Sequence, residues 1–208
     1  MTSTLTFYTH PLSRGRLARW MLEETGLPYD EVVLEFGTTM KSPEYLAINP
    51  MGKVPALRHG QAVVTENAAI CAYLAELVPE KELIPPPGSP ERGAFYRWLF
   101  FFAGPFEAWL SASRTGTLAQ AMGAGYGADG DVLRTLEQAL QGKRHLAGDR
   151  FTAVDLYVAA SLAYFTMTGA IEKNPVFEAF AAHHVGRPAA LAANARDNAL
   201  AAAHPVAG

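Results

Sequence analysis

Three short stretches in the first third of the chain carry groups whose types and spacing could hold and activate a small peptide. In Asn49-Pro50-Met51-Gly52-Lys53-Val54-Pro55-Ala56-Leu57, a proline opens an apolar run behind a lysine. An X-Pro bond is the ordinary place for a cis peptide, and proline in sheets is confined to edges and strand starts. A cis bond before Pro55 turns the Val54 N–H and C=O outward, free to pair with an extended peptide by strand addition. Lys53 stands beside them as a cation for a carboxylate. A loop with a trans proline is the plain alternative.

The second stretch, Thr65-Glu66-Asn67-Ala68-Ala69-Ile70, sets a carboxylate and an amide at a helix start. A helix N-terminus attracts a carboxylate through its free N–H groups and partial positive charge. Glu66 adds an acceptor for an ammonium group, so the pair suits an amino-acid head group. Simple helix capping by Thr65 or Asn67 is the competing reading. The third stretch is Pro11-Leu12-Ser13-Arg14-Gly15-Arg16. A serine at a helix start can accept from a helix N–H and still donate its own proton outward. Donation to sulfur stabilises a thiolate, aided by the helix dipole and by Arg14 or Arg16, since a free thiol otherwise titrates near ~8.5. Ser13 as a bare N-cap is the alternative.

These stretches need elements to position them. Residues 5–8 read as a strand, and 14–25 as a helix with Leu17, Trp20 and Met21 on one face. Ser13 stands at its N-cap position and Gly26 at its C-terminal end. Residues 29–34 predict a strand, 43–47 a helical turn, 55–58 and 62–64 a hairpin about His59-Gly60, and 66–78 a helix. That order is a βαβ unit joined to a hairpin. A proline-rich stretch at 84–90 then breaks the pattern, and no convincing strand follows. Helices are expected at 91–114 with a kink at Gly104-Pro105, and at 131–140, 153–166, 175–183 and 188–200. The expected architecture is an α/β first domain over 1–82, a linker at 83–90 and an all-α helical bundle over 91–208.

Taken together, N-P-x-G-K-V-P-A-L at 49–57, T-E-N-A-A-I at 65–70, the proline-rich linker and the helical second half resemble the glutathione transferase family over nearly the whole chain. The resemblance implies a thioredoxin-like first domain that binds glutathione, a second domain that supplies a hydrophobic pocket, and a homodimer. It implies that Lys53 meets the glycyl carboxylate, that the Val54 backbone pairs with the cysteinyl unit before a cis Pro55, and that Glu66 and Asn67 hold the γ-glutamyl end. Serine is commoner than asparagine at the last position. Serine-type relatives carry the thiol-activating residue near the start of the first helix, which favours Ser13. Tyrosine-type relatives carry it at the end of the first strand, which makes Tyr8 the runner-up, with His10 third. No cysteine stands there. The implied activity is conjugation of glutathione thiolate to hydrophobic electrophiles, a detoxification chemistry with glutathione as co-substrate and no metal. A non-catalytic glutathione-binding protein and a glutathione-dependent disulfide reductase are the rivals.

The remaining features set bounds. The chain has 208 residues, half of them hydrophobic, and a net charge of −3, which gives no electrostatic reason to bind nucleic acid or an anionic membrane. The start has no basic apolar leader, and no run reaches the ~20 apolar residues of a membrane span. One cysteine, Cys71, fits a reducing compartment, with cytoplasm as the expectation. Cys71 falls in a helix pattern and reads as a buried small hydrophobe. Thr152 and Asp155 have capping-box spacing, a structural feature that also echoes the family. His183 and His184 are adjacent, so one helix face cannot present both to a metal, and no acidic cluster joins them in sequence. The glycine-rich stretch at 123–127 lacks the strand and Lys-Ser/Thr of a phosphate loop. Of the aromatics in the long fourth helix, Phe102, Phe106 and Trp109 are the expected electrophile contacts.

Overall fold

The structure is a computed structural model that describes residues 4–204. In chain order its main elements are β1 (Leu5–Thr9), α1 (Gly15–Thr25), β2 (Tyr29–Val33), α2 (Pro43–Leu46), β3 (Ala56–His59), β4 (Ala62–Thr65) and α3 (Asn67–Glu76). There follow α4 (Pro90–Phe101), α5 (Glu107–Thr115), α6 (Asp131–Leu140), α7 (Ala153–Met167), α8 (Pro175–Val185) and α9 (Pro188–Ala203). Two compact units emerge: one holds the chain as far as Lys81 together with the stretch from Arg187 on, the other Glu82–Gly186. Among the described residues no helix is long and apolar enough to cross a membrane.

In the first unit the sheet runs β2-β1-β3-β4, with β1 parallel to β2 and antiparallel to β3, and β3 antiparallel to β4. The βαβ-plus-hairpin expectation is therefore the observed thioredoxin-like arrangement. Alternation along β1 sends its side chains to two faces. Phe7 packs edge-on to Tyr29 and under the Arg19 guanidinium, whereas Tyr8 joins Leu34, Met40, Tyr45 and Ala56 in a separate cluster. Leu17, Trp20, Met21 and Leu22 form the buried stripe of α1, which ends at Gly26 in the left-handed conformation.

One boundary differs from the sequence reading, which gave everything after residue 90 to the helical domain. Helix α9 packs on α1 and belongs by its contacts to the first unit. Small residues Ala190 and Ala193 are buried along α9 and allow close approach. A buried ion pair fixes the register: Arg19 Nε donates to Asp197 Oδ1 at 2.8 Å, and both side chains have no exposed surface. Arg19 also pairs with Glu31 on β2. Around this pair, Arg16 bonds Asn198 at 2.8 Å, and Arg187 makes a two-pronged contact to Glu24 at 2.6 and 2.9 Å. Long-range charge pairing of this kind leaves no trace in hydrophobic periodicity.

The second unit is helical throughout. The expected kink at Gly104-Pro105 is a π-helical turn, Phe102–Phe106, joining α4 to α5. Proline has no N–H to donate, so the regular ladder cannot pass through it. Helix α7 is buried on nearly every side and packs against α8 and α4. Its start carries the expected capping box between Thr152 and Asp155.

Removing one member of a buried ion pair leaves an uncompensated charge, which costs roughly 3–5 kcal/mol. Asp197→Ala should therefore lower unfolding free energy by about that amount. The double replacement Arg19→Met with Asp197→Leu should cost much less. Urea denaturation of both variants checks the pair; equal losses would contradict it.

Candidate functional site

The 49–55 loop is built by polar groups that satisfy one another. Tyr45 Oη donates to the Lys53 carbonyl at 2.6 Å and Asn49 Nδ2 donates to the same oxygen at 2.8 Å. Asn49 Oδ1 accepts from the Met51 N–H at 3.1 Å. Burial, the main influence, pushes the Tyr45 phenol up to about 12, so it remains a donor at physiological pH. Gly52 has φ of 57°, and a Cβ there would meet the Met40 carbonyl at 2.6 Å, so only glycine fits. The Val54–Pro55 bond is cis, as expected, and both residues precede the ladder, which begins where Ala56 faces Tyr8. Lys53 is exposed beside them. Lys41 donates to the Met51 carbonyl at 2.9 Å and adds a second cation to this loop. Sequence reasoning quoted Asn49 without seeing its role, and missed Tyr45 and Lys41, whose contributions depend on loop closure.

Glu66 and Asn67 open α3. Glu66 is exposed and adopts φ 66°, ψ 122°, while its carbonyl accepts the Ile70 N–H at 2.9 Å. Positive φ strains a non-glycine residue by roughly 1–3 kcal/mol and tends to occur where a ligand is held. By helix geometry the first-turn N–H groups of α3 have no intrahelical acceptor. Asn67 Nδ2 donates to the Arg14 carbonyl at 3.2 Å, which ties the start of α3 to the start of α1. Its Oδ1 is buried without a partner among the described residues. Two of the three motifs, separated by 53 positions, are joined by this one contact.

Ser13 sits one residue ahead of the α1 N-cap position, Arg14, whose side chain does not cap the helix. Its Oγ accepts the Gly15 N–H at 2.9 Å and donates to the His10 carbonyl at 2.7 Å. The hydroxyl proton therefore points back into the loop, so outward donation needs a rotation about the Cβ–Oγ bond. Gly15 lies hard against Thr9, whose Oγ1 would stand 2.1 Å from a Cβ there. Arg16 is taken up by the Pro11 carbonyl at 2.6 Å and by Asn198, while Arg14 is exposed. His10 is almost wholly buried, and its Nδ1 accepts the Leu12 N–H at 3.1 Å. Its other nitrogen faces Glu35 at 3.5 Å, and Glu35 in turn meets His204 at 2.6 Å. Tyr8 packs in the cluster that includes Tyr45 and Val54, so it lies against the cis-proline loop rather than remote from it.

In the helical unit Phe102, Phe106 and Trp109 are nearly fully buried. Phe102 stacks on Phe106 at 4.3 Å and meets Tyr157, and Phe106 meets Phe165. Trp109 Nε1 donates to Asp129 at 3.2 Å. Cys71 is a buried free thiol, and burial pushes its titration far up, which suits a small hydrophobe rather than a nucleophile. The histidine reading needs one correction. Tertiary structure brings His145 and Asp155 beside His184, with potential ligand atoms within 4.8 Å of one another. Both Asp155 oxygens already accept protein hydrogen bonds: Oδ1 from Leu146 N–H at 2.7 Å, Oδ2 from Thr152 N–H at 2.8 Å and Thr152 Oγ1 at 3.0 Å. His184 Nε2 donates to the Arg144 carbonyl at 2.8 Å. This cluster anchors the capping box.

Two family models match the chain: the glutathione S-transferase N-terminal domain over residues 15–77 and the C-terminal domain over 107–187. A glutathione S-transferase of Xanthomonas campestris, GST-4.5, is 32% identical over 170 residues, covering 78% of this chain and 83% of that protein. Glutathione S-transferase 1 of Zea mays is 32% identical over 159 residues, covering 69% and 72%. Among solved structures, a glutathione transferase from Methylococcus capsulatus superposes with a TM-score of 0.76 at 26% identity, covering 94% of this chain and all of that one. A sphingomonad glutathione S-transferase complexed with glutathione gives 0.75 at 26% identity over 93% and 98%.

Asn49→Ala removes the two side-chain bonds that Asn49 makes across the 49–53 turn. It should cost roughly 1–3 kcal/mol and raise amide deuterium uptake across residues 50–54. Unchanged uptake there would show that Asn49 does not hold the loop.

Proposed function

The chain belongs to the glutathione S-transferase family, and from that premise we propose that it joins glutathione thiolate to a hydrophobic electrophile, with Ser13 as the thiol-activating residue. It is a transferase; the electrophile and the individual site roles are the proposal. The observation that carries it is the Asn67–Arg14 contact, which sets an acidic helix start beside the Ser13 loop. The Glu66 carboxylate takes the glutathione ammonium, and the α3 N-terminus with Asn67 takes the γ-glutamyl carboxylate. The Val54 N–H and C=O pair with the cysteinyl unit in the manner of an added strand. Lys53, supported by Lys41, neutralises the glycyl carboxylate.

The thiol then lies toward the start of α1. Ser13 has one proton and two lone pairs. On glutathione binding the hydroxyl turns from the His10 carbonyl toward sulfur while Oγ continues to accept from Gly15. Hydrogen bonding to the charged form favours thiolate, and the α1 dipole adds to it. The thiolate forms a C–S bond at the electrophilic carbon as the leaving group departs with its electron pair. Positioning and anion stabilisation are the protein's contributions. Tyr8 is the second reading, favoured by its place in the cluster against which Val54 packs.

For the electrophile we propose the helical unit. Phe102, Phe106 and Trp109 serve as the packed wall. A cavity of about 550 Å³ lined by Ser113, Arg114, Tyr164, Phe165 and Thr168 backs onto that wall through the Phe106–Phe165 contact. We also propose a homodimer, supported by Phe100, which is 65% exposed and stacked on Tyr96. Most of the other large apolar side chains of α4 and α5 are already buried within the chain, so Phe100 carries that argument.

Ser13→Ala should cut kcat/KM by about 10²-fold, the scale of one lost oxyanion donor, and raise the pKa of bound glutathione with little change in its Kd. Tyr8→Phe should do much less. Conjugation of a panel of electrophiles, run beside disulfide substrates and a thiolate absorbance titration, decides. A thiolate shift in Tyr8→Phe but not in Ser13→Ala transfers the role to Tyr8, and glutathione binding with no turnover on any substrate would mark a binding protein. Sedimentation should give the mass of two chains; a single-chain mass at micromolar concentration contradicts the dimer.

A further inference from the structure

His10 holds every polar hydrogen of the two residues that follow Pro11. Its ring Nδ1 accepts the Leu12 N–H at 3.1 Å. Its carbonyl accepts the Ser13 N–H at 3.0 Å and the Ser13 hydroxyl at 2.7 Å. Pro11 has no N–H to add. The turn that carries Ser13 is therefore folded onto one residue, and that residue is almost wholly buried. The three bonds are not equivalent. Turning the hydroxyl toward sulfur gives up its bond to the carbonyl, whereas the Leu12 and Ser13 N–H groups stay where they are. The ring bond thus keeps the turn in shape during the one movement that thiol activation by Ser13 requires.

The ring is itself held. A nitrogen that accepts bears no hydrogen, so the ring hydrogen sits on Nε2, which stands 3.5 Å from Glu35 Oε2. Glu35 is fastened in turn. Its Oε1 lies 2.6 Å from His204 Nδ1 at the end of α9, its N–H donates to Thr39 Oγ1 at 2.7 Å, and its carbonyl accepts the Met40 N–H at 3.2 Å. Phe36 packs on the imidazole with ring centroids 4.3 Å apart. The end of β1, the loop after β2 and the end of α9 thus meet at one side chain. Core filling would account for a buried ring there. It does not account for a ring with one nitrogen on the Ser13 turn and the other facing a carboxylate that α9 braces. With both nitrogens engaged and the ring out of solvent, His10 is not placed to take the thiol proton itself.

We propose that His10 is a positioning residue for thiol activation: its ring sets the turn from which the Ser13 hydroxyl reaches sulfur, and Glu35, braced by His204, sets the ring. This rests on the reading of Ser13 as the activator. A carboxylate on one imidazole nitrogen fixes the tautomer and orientation in which the other nitrogen works. Here the other nitrogen works on a backbone N–H.

Thiolate absorbance against pH, for glutathione bound to the full chain, tests this without any electrophile. His10→Asn and His10→Leu are nearly the same shape, but only asparagine offers an acceptor to the Leu12 N–H. His10→Leu should raise the pKa of bound glutathione by about one unit, a tenfold loss of thiolate below that pKa, with little change in its Kd. His10→Asn should restore most of the loss. Glu35→Ala, which leaves the buried ring in place, should shift the titration the same way by less. In a Ser13→Ala background none of the three should add to the shift, because residues that act through one another are not additive. Equal shifts in His10→Asn and His10→Leu mean packing alone and overturn the proposal. A His10→Leu shift that persists in full beside Ser13→Ala overturns it as well. Should His10→Leu fail to fold, an unchanged titration in Glu35→Ala does the same. The two readings separate on Ser13→Ala by itself: if that chain titrates like the parent, the Ser13 assignment falls and takes the proposal with it. If it shifts while His10→Leu does not, the proposal falls alone.

Discussion

The buried pairing of Arg19 with Asp197 is the contact on which the first unit's geometry turns. A guanidinium removed from water needs acceptors, and here they come from α9 and from Glu31 on β2. Three elements from distant parts of the sequence are thereby held to one side chain. Burial, outweighing the attraction of Arg19, lifts the Asp197 carboxyl above the ordinary carboxylate range. Such a pair gives geometry more readily than net stability. What it fixes is the orientation of α1, and with it the helix start and the loop that carries Ser13. The Arg16 and Arg187 contacts reinforce the same packing from either end of α1.

The site itself is a set of main-chain groups held in unusual positions by buried side chains. Asn49 and Tyr45 fix the Lys53 carbonyl, and Asn67 reaches across to Arg14. Ser13 is bound at both its donor and its acceptor. A ligand meeting such a surface replaces few protein conformations, which is the physical content of preorganisation. The exception is the Ser13 proton. Its attachment to the His10 carbonyl leaves the hydroxyl free to rotate, and in the proposed reaction a thiolate would be the stronger acceptor because it carries the charge. Glu66 supplies the complementary feature, a strained backbone at the position where the ligand's head group is expected.

The helical unit follows a different logic. Its centre is aromatic, with Phe102, Phe106, Tyr157 and Phe165 in mutual contact. The π-helical turn at Pro105 carries the helix past the proline while both Phe102 and Phe106 stay inside. Asp155 is the polar counterpart: one carboxylate caps α7 and also fastens the 146 segment. Spacing alone suggested the cap; it could not show that the same carboxylate collects a loop and two histidines.

Local chemistry in the sequence determined a good deal. Apolar alternation and helical periodicity gave the order of the first-unit elements, and the proline-rich stretch marked the change to helices. The X-Pro bond at Val54–Pro55, the Thr152–Asp155 spacing and the helix start at Glu66–Asn67 were legible because each depends on residues close together in the chain. Tertiary structure alone decided that α9 returns to α1, because an ion pair across 178 positions has no periodic signature. It also decided that Tyr8 joins the cluster against which Val54 packs, that the Ser13 hydroxyl faces inward, and that Phe102, Phe106 and Trp109 are core. Those outcomes depend on which faces meet after packing, and sequence spacing specifies a face without naming what it will touch.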